Sequence, residues 1–318
     1  MSACASPHDG PPSAALHEGP DGAPLRVVPV ANGVYLVGGA AGLADPQNLG
    51  RIGNTGFIVG KSGVLAIDTG TSHAHGLALL RAIRQVTDKP VRLALVTHTR
   101  PEFLFGGAAF REAGIPIGMH EKTARLMAAR CDTCLKQLRQ TLGDAAMQGT
   151  TMYKPDREFA ASHAVDGTVD AAVGAIGRAV RVLYFGHSSG PGDIAVFDES
   201  SGVLFGGGLL DHGRIPDIQD ANLDGWKRAL AELRALRVNT LVPGHGTATS
   251  SPLITTVERY LVQLETRARA LAEAGTSLMD VPEATALPEF SRWEQYDTIH
   301  PRNATIAYLR FERELFFK

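Results

Sequence analysis

The sequence predicts an α/β fold: two mixed β-sheets packed face to face with helices outside, a four-layer αββα sandwich. Each half of the chain runs strands, then a helix, then strands, an order that suits two sheets enclosed between helix layers. Short apolar runs bounded by Gly, Asn and Asp turns alternate with stretches of helical period, the mark of strands interleaved with helices. Polar side chains also crowd the ends of buried strands, where open α/β sheets place their chemistry. The clearest case is Val91-Arg-Leu-Ala-Leu-Val-Thr, which runs into His98-Thr-Arg100-Pro-Glu102-Phe103 before Gly106-Gly107 opens a helix.

Residues 1–24 are rich in Pro, Gly, Ala and Ser without an apolar period. They read as a disordered leader, with His8 and His17 as solvated bystanders. Residues 25–250 carry the sandwich, and 251–318 form a helical extension packed on the same domain. Strands are expected over 25–30 and 33–37. The glycine-rich stretch 38–53 lacks the strand-to-helix context of a dinucleotide cradle and reads as a mobile rim loop. Strands over 54–59 and 64–67 form a hairpin through Gly60-Lys-Ser-Gly63 and end in Asp68-Thr-Gly70,. Thr71 or Ser72 then caps a helix over 73–86. Its His73 and His75, two apart on a helix, point in different directions and read as a solvated helix start.

After the central loop come a helix over 107–113, a strand over 115–119 and a long helix over 121–142 carrying Cys131-Asp-Thr-Cys134. A Cys-x-x-Cys pair in mid-helix, with only Cys4 besides, reads as two small residues on one helix face, not a redox or zinc centre. Weak alternation over 165–176 suggests a surface hairpin. A buried strand over 181–185 ends in Gly186-His187. A hairpin of strands over 194–197 and 203–205 ends in Gly206-Gly-Gly208-Leu-Leu-Asp211-His212. An amphipathic helix over 222–236 leads to a strand over 239–242 and then Pro243-Gly-His245-Gly246. Helices over 253–274 and 303–315 complete the chain.

The 318 residues carry a formal net charge of −2, which gives no basic footprint for nucleic acid. No apolar run approaches the ~18 residues of a membrane-spanning helix. No export signal is visible, so the expectation is a soluble, cytoplasmic chain, or a periplasmic one if a signal has been removed. Met1-Ser2-Ala3-Cys4 reads as an ordinary terminus because no apolar segment precedes it.

Four loops, at His98, Gly186-His187, Gly208 and Pro243-Gly-His245-Gly246, together with Asp68-Thr-Gly70, resemble in order and spacing those of the metallo-β-lactamase superfamily. The resemblance covers about residues 25–246. Asn54-Thr-Gly-Phe-Ile-Val-Gly60, Arg214-Ile-Pro216 and Arg302-Asn-Ala-Thr305 further resemble its zinc metallohydrolase branch associated with quinoprotein dehydrogenase systems. Such a family implies two zinc or iron ions sharing a hydroxide, held partly by a His-x-His-x-Asp-His loop. Laid on that pattern, one ion would fall to the positions of His98, Arg100 and His187. The other would fall to Glu102, Phe103 and His245, with Gly208 where a bridging Asp belongs. Guanidinium, phenyl and glycine offer no metal donor.

At ~4 Å and an effective dielectric of ~20, a guanidinium repels a dication by roughly 8 kcal/mol. Arg100 is therefore expected to supply the charge a metal would have carried, paired with Glu102 on an extended loop, while Phe103 and Gly208 close the remaining space. The favoured reading is a pseudoenzyme without cofactor that binds a small anionic ligand or a protein partner through His98, Arg100, Glu102, His187 and His245. The alternative is a mononuclear zinc or iron hydrolase on His98, His187, His245 and Glu102, with Asp211 and His212 as further donors or as ordinary loop residues. A metal-free acid–base role for the three histidines and Glu102 ranks last, because nothing adjacent in sequence offers an activated nucleophile.

Overall fold

A computed structural model describes residues 24–164 and 176–316. The first half contains β1 (Val27–Ala31), β2 (Val34–Val37), β3 (Thr55–Val59), β4 (Val64–Ile67), α1 (His73–Val86), β5 (Val91–Leu95), α2 (Pro101–Leu104), α3 (Gly107–Glu112), β6 (Ile117–His120), α4 (Glu121–Leu142) and β7 (Arg157–Phe159). The second half contains β8 (His163–Ala164), β9 (Val180–Tyr184), β10 (Ile194–Asp198), β11 (Val203–Gly207), α5 (Leu223–Arg234), β12 (Thr240–Pro243), α6 (Pro252–Glu273), α7 (Val281–Ala284) and α8 (Tyr296–Phe316).

Both sheets are mixed. The first has the order β1-β2-β3-β4-β5-β6-β7 and the second β12-β11-β10-β9-β8. In the first, β1 to β4 pair antiparallel and β4 to β7 parallel. Side chains alternate faces along a strand, and the central strands use that alternation to serve two cores at once. Leu65, Ile67, Leu93 and Leu95 point between the sheets, where they meet Val182, Ile194, Val196 and Phe205. Their neighbours Val64, Ala66, Ala94 and Val96 point the other way, into a layer with Leu79, Ile83, Phe110 and Met127 of the helices. That two-sided burial is why these strands read as continuous apolar runs.

The second sheet is covered by α5, α6 and α8, whose Trp226, Tyr260, Leu264 and Tyr308 share one core with Leu183, Phe197 and Leu204. Two elements depart from expectation. The loop after β5 is not extended: Pro101, with its φ preset, starts the helical turn α2 directly after Arg100,. The last helix begins at Tyr296 and continues through Pro301, because His300, 1% exposed, is held by Tyr260 Oη and the Thr285 carbonyl. The glycine-rich stretch 38–53, expected as a mobile rim, is tied down by Ala40 to Arg51, Gly42 to Glu294 and Arg214 to Gly42 hydrogen bonds. The leader over 1–23 and the hairpin expected over 165–175 lie outside the described residues. Among the described residues no helix is long and apolar enough to cross a membrane.

One fully buried amide couples α8 to the loop before α5. Asn303 accepts from the Ile218 N–H at 3.2 Å and donates to the Pro216 carbonyl at 2.6 Å and to Tyr260 Oη at 2.9 Å. Asn303→Ala orphans the Ile218 N–H and the Pro216 carbonyl and is expected to cost about 2–4 kcal/mol in urea unfolding. Met279→Ala, at a 90% exposed position, is expected to stay within about 0.5 kcal/mol.

Candidate functional site

Four loops meet at the carboxyl ends of β4, β5, β11 and β12. Asp68, just past β4, adopts a left-handed φ of 59°. That turn aims its carboxyl group at the loop after β5, where it accepts the Thr97 N–H at 2.8 Å and contacts Thr97 Oγ1 at 2.8 and 3.0 Å. Thr97 Oγ1 in turn lies 2.7 Å from His98 Nδ1. Burial pushes Asp68 up to about 8, against the lowering effect of its bonds to Thr97. Thr97 Oγ1 donates to the Asp68 carboxyl group, and His98 Nδ1 lies on the other side of the same hydroxyl. His98 Nε2 is a buried atom with no hydrogen-bond partner among the described residues. Burial, with the Arg100 guanidinium nearby, holds His98 down at about 3.

Beside it lies an ion cluster. His245 Nδ1 donates to Asp211 Oδ1 at 2.7 Å, and His245 Nε2 donates to Glu102 Oε1 at 3.1 Å. Burial opposes the imidazolium, but Asp211 and Glu102 outweigh it and raise His245. Burial likewise opposes both carboxylates, yet His245 and Arg100 hold Asp211 and Glu102 at about 2. Arg100 NH1 stands 3.9 Å from Asp211 Oδ2. Two cations thus face two carboxylates, the condition under which charges survive burial. Arg100 pairs with Asp211 and not with Glu102 as expected, because α2 rotates Glu102 toward His245. Among the described residues the guanidinium makes no closer bond than this ion pair.

Asn54 holds His245 in place: its side-chain amide donates to the Pro243 and Gly246 carbonyls at 2.9 and 2.8 Å. Phe103, fully buried, fills the space between the histidines, its ring centroid 4.2 Å from that of His98 and 5.2 Å from that of His245. Gly53 makes room for it, since a Cβ there would meet the Phe103 ring at 2.6 Å. Gly208 makes room for Asp193, whose Oδ2 would lie 2.7 Å from a Cβ at that position. Asp193 accepts from Ser189 Oγ at 2.7 Å and is pushed up to about 6 by burial.

Of the residues singled out in the sequence, the structure brings together His98, Arg100, Glu102, Phe103, Gly208 and His245. It does not bring His187 to them: that side chain is exposed, and its Nε2 lies 2.6 Å from the Asp220 carbonyl oxygen. Asp211, 2% exposed, is the hub of the cluster, whereas His212 turns away to Thr247. The His73 and His75 pair is not a solvated start. His75 is buried and accepts the Thr71 N–H, while His73 pairs with Glu112 at 2.7 Å. A cavity of about 190 Å³ opens beside the cluster, lined by His98, Arg100, Asp193, Arg130, Cys131 and Cys134 among others. Sequence reasoning missed Asp193, Arg130 and the approach of the cysteines, which come from segments far apart in the chain.

A sequence model of the metallo-beta-lactamase superfamily matches residues 49–245. The chain belongs to that superfamily. Among solved structures, a metallo-beta-lactamase from Pontibacter korlensis aligns with a TM-score of 0.59 at 22% identity, covering 75% of this chain and 99% of that one. The metallo-beta-lactamase FIM-1 from Pseudomonas aeruginosa, in its mono-zinc form, aligns at 0.58 and 18% identity over 78% and 98%. At these identities the likeness concerns the fold.

The superfamily's paired metals do not fit the residues present. Both nitrogens of His245 are engaged by carboxylates, a phenyl ring stands between His245 and His98, and a guanidinium lies against Asp211. Among the described residues no group of three or more His, Cys, Asp or Glu side chains is disposed to hold a metal ion. Restoring an acid at the bridging position should therefore damage the protein. Gly208→Asp is expected to lose about 1–3 kcal/mol of stability by overpacking, read in urea unfolding, with part regained when Asp193→Asn is added.

The pH dependence of stability tests His98. Between about pH 3 and 6.5 the unfolded chain binds a proton at His98 that the folded chain refuses, so stability rises with pH across that window. His98→Asn is expected to flatten the rise by about 1.4 kcal/mol per pH unit. An unchanged slope in urea melts would mean that the imidazole is charged inside the fold.

Proposed function

We propose that this member of the superfamily is a metal-independent binding protein, a pseudoenzyme whose cleft takes a small anion. The observation that carries the reading is the closure of the old ligand set on itself. His245, Asp211, Glu102 and Arg100 satisfy one another's charge within the protein, which removes the uncompensated negative charge that recruits a cation. The cavity wall carries Arg100 and Arg130 beside Asp193, Asp217 and Asp220, with Arg130 paired to Asp220. His98 Nε2 is buried without a partner among the described residues, and Arg100 keeps N–H groups at the cavity wall. A planar anion such as a carboxylate, or a phosphate, answers both.

The cavity's ~190 Å³ falls below the ~300–1,000 Å³ of sites that take drug-sized ligands,, which restricts the occupant to a small molecule. The Asn54, Arg214 and Arg302-Asn303 motifs support placing the chain with the quinoprotein-associated branch. In this chain they hold the His245 loop, the 38–53 loop and the C-terminal helix.

Elemental analysis of protein purified without added metal, paired with calorimetric titration of oxalate and inorganic phosphate, tests the proposal. The expected result is zinc and iron well below one equivalent, and anion binding that survives chelator. Arg100→Gln should weaken that binding roughly 10- to 100-fold, the loss of a hydrogen bond to a charged group. Near-stoichiometric metal, removed together with a hydrolytic activity by His187→Ala, would overturn the reading in favour of a mononuclear hydrolase.

A further inference from the structure

A second cavity lies at the other end of the first sheet from the cleft. Asp68 and His98 follow the carboxyl ends of β4 and β5, whereas this groove opens where α1 ends and β5 begins, against the loop before β6. Its volume is about 510 Å³, more than twice that of the cavity beside the cluster, and within the ~300–1,000 Å³ of sites that hold small organic ligands. Half-buried Leu80, Val91 and Ile115 form an apolar floor packed on the core beneath. Arg81, Arg84 and Lys89 stand around it, and among the described residues no acidic side chain lines it.

The three cations are not equally engaged. Arg84, in the last turn of α1, donates from Nη1 to the Asp88 carbonyl at 3.0 Å and complements the helix C-terminus,. Its carboxylate neighbour, Asp88 at 4.0 Å, is fully exposed, so solvent screens the pair. Lys89 donates from Nζ to the Gly60 carbonyl at 2.7 Å. Carbonyls fix these two side chains without cancelling their charge. Arg81, a turn earlier, has no such task. Its Nη1 is a buried atom without a hydrogen-bond partner, and its guanidinium forms no ion pair among the described residues.

We propose that this groove binds a medium-chain carboxylate, with Arg81 receiving the anionic head and Leu80, Val91 and Ile115 the unbranched apolar tail. A guanidinium N–H withdrawn from water without an acceptor costs free energy, which a carboxylate offsets through a charge-assisted hydrogen bond. Arg84 and Lys89 add attraction at longer range, with no acid on the lining to compete. The tail and the floor cover each other from water. A charged head without a tail would leave the floor wet, and a cationic amphiphile would face three like charges. The site is separate from the cleft and does not depend on what the cleft binds.

The test titrates the full chain by calorimetry with hexanoate, octanoate and decanoate, and with acetate and decyltrimethylammonium for comparison, all below their micelle concentrations. Affinity is expected to rise roughly two- to fourfold per added methylene, with no binding of acetate or decyltrimethylammonium. Arg81→Gln should weaken decanoate roughly tenfold or more, and Arg81→Glu should abolish its binding. Arg100→Gln, in the cleft, should leave decanoate unchanged while weakening oxalate. A decanoate with a terminal diazirine, photolysed on the wild-type chain, should label residues within 80–91 or 113–115, which locates the site without reliance on any variant.

Affinity independent of chain length, decanoate binding untouched by Arg81→Gln, labelling at the cleft, or decyltrimethylammonium bound as tightly as decanoate would each overturn the proposal. Co-sedimentation with phosphatidylglycerol vesicles, lost in Arg81→Gln and unaccompanied by decanoate binding, would overturn it in favour of a membrane surface. Oxalate binding that persists while decanoate fails would refute this groove and leave the anion-binding reading of the cleft standing.

Discussion

The His245 imidazolium held between Asp211 and Glu102 is the interaction on which the site depends. Burying a charge is costly, and each of these three would be prohibitive alone. Together with Arg100 they form a set in which every ion has an opposite within reach. Once the imidazolium donates at both nitrogens, it has no lone pair left to offer a metal. The same geometry that stabilises the cluster thus withdraws a ligand from the ancestral chemistry. The same pairing accounts for the buried arginine: the Arg100 guanidinium faces the Asp211 carboxylate at 3.9 Å.

Volume follows charge. The space between His98 and His245 is filled by Phe103, and two glycines leave room for neighbouring side chains. Gly53 yields to the ring, and Gly208 yields to Asp193. Close-packed interiors leave little room for independent drift, so these positions behave as one unit. A reversal at any single position meets the others. The three departures read from the sequence at Arg100, Phe103 and Gly208 are, in the fold, one repacking.

The scaffold that holds this unit is the layering of the fold and not the loops themselves. β4 and β5 end in the site and are buried on both faces, which fixes Asp68 and His98. The His245 loop is clamped by Asn54 from β3's approach, and the C-terminal helices brace the second sheet through Asn303 and Tyr260. Opposite them, α4 forms the remaining wall. Its cysteines reach the cleft because Met127 and Leu138 seat that helix on the first sheet, which leaves Cys134 at the border between core and cavity.

The order of strands and helices, the two-sided burial of β4 and β5 and the position of each loop were legible in the sequence, because periodicity and turn chemistry are local properties. So was the incompatibility of Arg100, Phe103 and Gly208 with metal binding, which follows from their functional groups alone. Partner choice was not legible. Spacing of two residues suggested Arg100 with Glu102, but Pro101 started a helical turn and sent them to different acids. Spacing likewise placed His187 among the site residues, where the fold leaves it at the surface on a backbone carbonyl. Asp211, Asp193 and the thiols of α4 entered the site only through contacts between segments distant in sequence. The sequence therefore determined which groups were present and what each could not do. Tertiary packing alone decided which of them met, because charge pairing and close packing act between surfaces that the chain order does not reveal.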